Sequence, residues 1–508
     1  MPFAEEERPS AAVRAAPSPG AAESEGGSAF LLAAIAALLV ARVPVLLVRA
    51  IDNDELEHAH AAWNVFRGLV PYRDFFEHHT PWYYFGLAPF FHWFPVAESF
   101  DAARHFLVFG RLFSLALTAL SAGLVFLVGR MGPGRRVGLL AALFFVAQPV
   151  LIHKTLEIRP DVPALPFFIG ALWFLRHALA REARPLRWFL AGGLCLGASV
   201  MCTQKMLFAL PGVFVGLGLW ALAGGRRSLV ARAAAVLVAL AGVAAPTAIT
   251  WVGFALRGGG ARFIYDNFVL NAHWRWRTGR HLLAVVRTSW PILLLGLLGA
   301  WSALFGKGRG RRRDAGDLLL LCTVGGLAAG AVVVPAAYEQ YYLPPLTVVC
   351  VFAARGLSVL LDASRHRARG WLVVCATVPL LIWPVVDLKR ALGRRNDVQM
   401  AELQFVYTHT GPTDPVLDGW LGTGVFRPQP LYYSFMHREL QVSLPESEKD
   451  AYLEALTSGR IKPALITLDD ELRALGPRFV DFVQRHYVSS DGLFYFPAAA
   501  KPSRPQSE

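Results

Sequence analysis

Leu46-Leu47-Val48-Arg49-Ala50-Ile51-Asp52-Asn53-Asp54-Glu55 decides how this chain is read. An apolar run that begins near residue 29 ends here, and Asp52, Asp54 and Glu55 follow at once. A helix needs roughly 20 apolar residues to cross a bilayer core, and the run 29–49 has that length. Acids at its end therefore stand at a membrane surface, since an ionisable group placed in lipid is costly and is kept mainly for function. The next long run starts only near residue 106, after Pro71-Tyr72-Arg73-Asp74-Phe75-Phe76-Glu77-His78-His79-Thr80-Pro81. Residues 50–105 form a polar loop between two spans, and this loop is the first candidate for a reaction or binding site.

Working outward, the 508 residues are 55% hydrophobic and 17% charged, against about 25% charged in soluble domains. The chain reads as a polytopic membrane protein. Its apolar residues gather into eleven runs: 29–49, 106–129, 137–152, 161–179, 188–203, 206–222, 230–253, 288–305, 317–335, 343–361 and 370–387. The third run is short and holds Gln148-Pro149, and Trp82 to Phe94 is apolar enough to lie in the interface. The expected fold is a membrane all-α bundle of 11 to 13 spans with a small C-terminal α/β domain.

Charge orients the bundle. The loops 130–136, 176–187, 226–232, 307–313 and 365–369 each carry at least three Arg or Lys, as cytoplasmic loops do. The acidic loop 50–105 and the tail after 387 then share the non-cytoplasmic side. The net charge of +13 is topogenic, which removes nucleic acid as a partner. Cys195, Cys202, Cys322, Cys350 and Cys375 all fall inside spans and read as small core residues. Residues 1–28, rich in Ala, Pro, Ser and Gly, are expected to be disordered. The first span is too long for a signal-peptide core and reads as an anchor.

The expected divisions are a tail at 1–28, a transmembrane domain at 29–387 and an extracytoplasmic α/β domain at 388–508. In the last, Val416 to Trp420, Ala464 to Leu468 and Gly492 to Phe496 are strand-like, and Glu446 to Thr457 and Asp470 to His486 have helical spacing. Asp418-Gly419 and Gly422-Thr423-Gly424 read as turn chemistry. No nucleophile and base pattern stands out there.

Three further outward segments carry polar groups. Residues 257–287 hold Arg257, Arg262, Arg275, Arg277, Arg280 and Arg287 with Trp274 and Trp276 between them. Guanidinium groups suit phosphate and indoles suit the headgroup zone, so the segment fits either a lipid phosphate ligand or ordinary headgroups. Tyr338-Glu339-Gln340-Tyr341-Tyr342-Leu343-Pro344-Pro345 opens a late span, and Glu157-Ile158-Arg159-Pro160-Asp161 opens the fourth.

Asp54-Glu55, the helix through Gly68, Tyr72-Arg73-Asp74 and Glu77-His78-His79-Thr80-Pro81-Trp82-Tyr83-Tyr84 together resemble the first outward loop of C-type (GT-C) membrane glycosyltransferases. The bacterial branch grouped with protein O-mannosyltransferases and aminoarabinose transferases is the nearest in pattern. Arg159-Pro160-Asp161 and Tyr342-Leu343-Pro344 extend the resemblance over spans one to ten, and it fades in the tail. It implies transfer of a sugar from a polyprenyl phosphate donor to an extracytoplasmic acceptor, which is lipid, glycan or protein, at the bacterial inner membrane. Membrane lipids are the surrounding partners.

The resemblance makes Asp54 the candidate base with Glu55 as its catalytic neighbour, because an attacking hydroxyl must lose its proton to a carboxylate in reach. Direct displacement inverts the anomeric centre. His79, Arg275, Tyr342 and Arg159 are expected at the donor phosphate, and Asp52, His58, Glu77, His78 and Asp161 in support. Where the family has a lysine after the glutamate, this chain has His78-His79-Thr80. Two readings fit His79: a donor to the leaving phosphate, or a neutral ring bonded to a neighbouring carboxylate. No obligatory cofactor is expected; Asp52 and Asp54 form a possible magnesium or manganese pair, and His58, His60, His78 and His79 lack structural zinc spacing. The alternative from another class is a lipid or sugar transporter, which would show repeated halves and mid-membrane polar groups.

Overall fold

The structure, a computed structural model, describes residues 19–180, 185–223, 228–275, 280–306, 314–363 and 367–498. A helix covers each apolar run. Helices α1 (Pro19–Val40) and α2 (Arg42–Val48) form the first, and α3 (Asn53–Phe66) lies in the loop after it. Then come α4 (Phe100–Arg130), α5 (Arg135–Ala147), α6 (Pro149–Lys154), α7 (Asp161–Ala180), α8 (Pro185–Cys202) and α9 (Ala209–Leu222). The bundle closes with α10 (Leu229–Ala255), α11 (Arg280–Phe305), α12 (Ala315–Val333), α13 (Leu343–Ala363) and α14 (Arg367–Gly393). Because α1 starts at Pro19, residues 19–28 of the expected disordered tail are helical; residues 1–18 lie outside the described residues.

Among the described residues, 8 stretches are long and apolar enough to cross a membrane, fewer than the 11 to 13 expected. The shortfall has local causes. The apolar part of α8, Leu186–Cys202, is a shorter helix. The third run breaks between α5 and α6, because Pro149 has no N–H to continue α5. Gln148 mends the break: its Oε1 accepts from Leu151 N at 2.8 Å, and its Nε2 donates to Ser289 Oγ at 2.5 Å. In the run 370–387 the side chains of 370–377 and 381 lie outside the description.

Helix α8 packs between α7 and α10, α9 packs on α12, and α11 packs on α13. Glycine sets two of these crossings. A Cβ on Gly193 would overlap the Ala239 carbonyl, and one on Gly299 would overlap that of Phe352. Small residues let helix backbones approach where lipid gives no hydrophobic drive.

Helix α3 and the C-terminal segment meet at one end of the bundle. Phe76 N donates to Tyr432 O at 2.8 Å, Ala50 N donates to Arg394 O at 2.7 Å, and His60 Nδ1 lies 2.7 Å from Val425 O. At the opposite end, Arg176 reaches Asp317 at 3.0 Å and Arg355 pairs with the same carboxylate. Arg176 also donates there to Val128 O, close to Arg130.

After α15 (Asp397–His409) the segment folds around four short strands, β1 (Val416–Asp418), β2 (Leu465–Thr467), β3 (Tyr487–Val488) and β4 (Phe494–Pro497). Their order is β1-β2-β4-β3, with β1 and β2 parallel and the other pairs antiparallel. Three match the expected strands, and β3 was not foreseen. Helix α16 (Arg438–Ser443) precedes α17 (Glu446–Thr457), which has the expected bounds. The helix expected over 470–486 is split into α18 (Asp470–Arg473) and α19 (Pro477–His486), because Gly476 takes φ 107° between them. Asp418 is spent on a turn, accepting from Gly422 N, Gly424 N and Thr423 Oγ1.

Candidate active site

Helix α3 begins with a capping box: Asp52 Oδ1 accepts from Asp54 N, and Glu55 Oε1 accepts from Asp52 N at 3.0 Å. Such a cap fixes the first turn and with it the direction of each acid. Glu55 turns inward, fully buried, into a two-point pair with Arg111. Its Oε2 also accepts from Ile158 N. Asp54 and Glu57, three residues apart and so on one helix face, instead line a cavity of about 660 Å³.

The cavity floor is cationic. Arg159 Nη2 donates to Asp54 Oδ2 at 2.5 Å and Arg159 Nε donates to Glu157 Oε2 at 2.8 Å. Lys154 Nζ donates to Asp52 at 3.0 Å and to Glu157 at 3.1 Å. Lys205 Nζ holds Asp161 at 3.0 Å, with its charge 5.0 Å from the Tyr341 ring centre. Burial pushes the Asp54 carboxyl up, but the charges of Arg159 and Lys154 outweigh it and hold the group below the usual aspartate range. Arg159 is 1% exposed, and its Nη1 has no hydrogen-bond partner. An unpaired buried donor of this kind costs free energy that an anion would recover.

The segment after α3 brings the histidines to the same cavity. Tyr72 sits at φ 67°, a left-handed position that a bulky residue seldom takes. Its ring packs edge-on against Phe254 and Phe263, and its hydroxyl donates to His79 O at 2.6 Å. Gln204 and Asn271 donate to His78 O, and Thr80 Oγ1 donates to Val200 O. His79 and Glu77 satisfy each other, with Nδ1 and the backbone N both near Glu77 Oε1, at 3.0 and 2.9 Å. Of the two readings of His79, the ring's bond to a carboxylate is present, and the ring also lines the cavity that the other reading requires. Burial and the neighbouring His79 and His437 push His78 well below the usual histidine range.

The outer wall comes from later segments. His78 stacks on Trp274 at 5.6 Å, and Trp274 and Trp420 both approach His437, at 6.0 and 4.4 Å. Tyr338 donates to Glu439. The C-terminal segment thus supplies Trp420, His437, Glu439 and Glu471 to the cavity, although its sequence shows no catalytic pattern.

Of the expected site residues, Asp52, Asp54, His78, His79 and Arg159 line the cavity. Asp161 stands behind Lys205, Glu77 behind His79, and His58 is buried with Nδ1 3.1 Å from Tyr84 OH. Three expectations need correction. Glu55 serves the α3 and α4 junction rather than the cavity, because Arg111 occupies both its oxygens. Tyr342 is buried in the bundle core, and Tyr338 and Tyr341 line the cavity instead, since the single turn Glu339–Tyr342 sends successive side chains to different faces. Arg275 is exposed, its backbone N–H donates to Ser443 Oγ at 3.2 Å, and Trp274, not Arg275, lines the cavity. Arg277 lies outside the described residues. Lys154, Lys205 and Glu57 were missed; a Lys beside an apolar run, and for Glu57 its place one turn after Asp54 on the same helix face, were the available signals.

Asp52 and Asp54 do not fit a divalent cation, since Lys154 and Arg159 already neutralise them. Glu77, His78 and His79 place ligand atoms within 4.8 Å of one another, although Glu77 Oε1 and His79 Nδ1 are joined by their mutual hydrogen bond.

Residues 102–251 match the family model described as dolichyl-phosphate-mannose-protein mannosyltransferase. No curated protein matches the chain. Among solved structures, ArnT from Cupriavidus metallidurans bound to undecaprenyl phosphate aligns at TM-score 0.62 and 14% identity, covering 94% of this chain and 100% of that one. The Archaeoglobus fulgidus oligosaccharyltransferase aligns at TM-score 0.56 and 12% identity, covering 93% and 74%. In complex with an inhibitory peptide and a dolichol-phosphate, that oligosaccharyltransferase, AglB, aligns at TM-score 0.53. These likenesses show a shared fold, and with the matched segment they bear out the resemblance to C-type membrane glycosyltransferases.

Proposed function

We propose that this integral membrane protein is a glycosyltransferase that moves a sugar from a polyprenyl phosphate donor to an extracytoplasmic acceptor, with inversion. The observation that carries the reading is the cavity at one end of the bundle, where Asp54 and Glu57 face Arg159, Lys154 and Lys205. Phosphate needs such cations, and guanidinium donors suit its oxygens. Arg159 lines the cavity, and its Nη1, 3.9 Å from Asp161, makes no hydrogen bond and so keeps a donor for a phosphate oxygen. The aromatic wall of Trp274, His437 and Trp420 faces the floor, as a sugar or acceptor ring would require.

In the reaction, an acceptor hydroxyl forms a bond to the anomeric carbon while the bond from that carbon to the phosphate oxygen breaks. The electron pair leaves on polyprenyl phosphate, and the hydroxyl proton passes to a carboxylate. The fixed cations meet the charge that gathers on the leaving phosphate, which is where preorganised donors lower a barrier. The membrane is the bacterial inner membrane, with the cavity on the periplasmic side.

A transporter would set its polar site near mid-membrane, whereas here the charged clusters gather at the two ends of the bundle. Mass spectrometry of envelope lipids and glycans from cells with and without the protein tests the function. A lost glycan with an accumulated lipid-linked sugar is expected. Unchanged profiles of both would overturn the reading.

A further inference from the structure

Two carboxylates of α3 face the cavity, and they are held differently. One oxygen of Asp54 is taken by Arg159 at 2.5 Å, so its electron density is already committed to a cation. Glu57, one turn on, is 7% exposed and lines the same cavity. Among the described residues no hydrogen bond reaches its carboxyl. His78 Nδ1 stands 3.8 Å from Glu57 Oε1, too far to bond, and is itself buried without a partner. That separation is geometrically compatible with one hydroxyl oxygen about 2.8 Å from each atom, an ordinary hydrogen-bond length.

We propose that Glu57 is the catalytic residue that accepts the acceptor's proton, with His78 orienting the attacking hydroxyl, and that Asp54 is a positioning residue that holds Arg159 for the donor phosphate. This rests on the glycosyl-transfer reading above. The acceptor O–H bond breaks as the bond from its oxygen to the anomeric carbon forms. The proton goes to Glu57 Oε1, and the electron pair of the breaking glycosyl bond leaves with polyprenyl phosphate. Glu57 returns the proton to solvent through the open cavity before the next turnover.

Electrostatics agree with this division. Around Glu57 stand Asp54 on its own helix, Glu77 and His78 on the following loop, Arg159 before α7, and Glu439 on α16. Burial and then the charges of Glu77 and Asp54 push Glu57 well above the usual glutamate range, with Arg159 opposing. A carboxylate raised in this way is the stronger base, whereas Asp54, held low, is a weak one.

The test uses membranes carrying the full chain, supplied with the total polyprenyl phosphate-linked sugar fraction extracted from the producing cells. Released polyprenyl phosphate is quantified by mass spectrometry between about pH 4 and about pH 8. Binding of undecaprenyl phosphate is followed separately by tryptophan fluorescence. Glu57→Gln should lower kcat about 100-fold to 10,000-fold, keep undecaprenyl phosphate affinity, and lose the rise of activity with pH that the wild type shows above the usual glutamate range. Glu57→Asp should keep part of that rise. Asp54→Asn should weaken undecaprenyl phosphate binding and retain the rise. Wild-type release by Glu57→Gln, or a wild-type profile already flat at the acid end, overturns the proposal alone. A Glu57→Gln protein that loses binding and rate in equal measure also overturns it. No release by the wild type overturns the glycosyl-transfer reading together with the proposal.

Discussion

Arg111 grips Glu55 through two hydrogen bonds, Nη2 to Oε1 at 2.7 Å and Nε to Oε2 at 2.8 Å. The adjacent Asp54 faces the cavity. Neighbouring acids in one helical turn thus serve stability and chemistry separately. Removing one partner of a buried pair leaves the other charge uncompensated, at a cost of about 3 to 5 kcal/mol. Glu55→Gln should therefore lower the thermal midpoint of the detergent-solubilised protein, while the fraction that stays folded binds undecaprenyl phosphate as the wild type does. An unchanged midpoint would count against the structural role of Glu55.

Arg159 and Arg275 should separate cleanly. Lysine cannot bridge Asp54 and Glu157 as the Arg159 guanidinium does, and a hydrogen bond to a charged group contributes about 1.5 to 3 kcal/mol. Arg159→Lys should weaken undecaprenyl phosphate binding about 10-fold to 100-fold by fluorescence titration. Arg275→Lys should leave it unchanged, because that side chain is exposed and outside the cavity. Equal losses in the two variants would return Arg275 to the site.

Asp266 predicts a pH dependence of stability. It accepts from Tyr432 OH at 2.7 Å, and burial pushes its carboxyl up to about 7, with Tyr432 and Arg262 opposing. The folded state therefore holds the proton more tightly than the unfolded chain, whose aspartates titrate near about 3.9. The stability so contributed is full below that value and is lost as pH rises through about 7. The thermal midpoint should fall between about pH 4 and about pH 7, and Asp266→Asn should flatten that part of the curve. An identical slope in the variant would assign the dependence to another group.

Chelation should not matter at the acid pair. Lys154 and Arg159 already neutralise Asp52 and Asp54, so polyprenyl phosphate release should persist in excess EDTA. Loss of release on chelation, restored by magnesium or manganese, would put a cation back at these carboxylates.

Sidedness can be read with single cysteines in an otherwise cysteine-free chain. Arg67 and Ser447 are exposed at the cavity end of the bundle, and Arg135 is exposed at the opposite end. An impermeant thiol reagent added to spheroplasts should label cysteines at positions 67 and 447 and spare one at 135. Labelling at 135 alone would invert the orientation.

The sequence by itself determined the class of this protein and the end of the bundle that carries the chemistry. Apolar run length and charge asymmetry are local properties, so the eleven runs came out as helices and the loop 50–105 was placed with the tail. Asp54 and Arg159 were also legible, because acids and an arginine at span ends have few reasons to be there. What the tertiary structure alone decided is which neighbour each polar group meets. Arg111 and Glu55 are 56 residues apart, and nothing in the sequence of either pairs them. The choice of Tyr341 over Tyr342 depends on the phase of a single turn, which a soft span boundary cannot fix. The C-terminal contribution of Trp420 and His437 depends on docking across ten helical runs. Pattern along a chain reports burial and sidedness; partner identity is a property of distance in space, and only the folded chain brings Glu57 and His78 face to face.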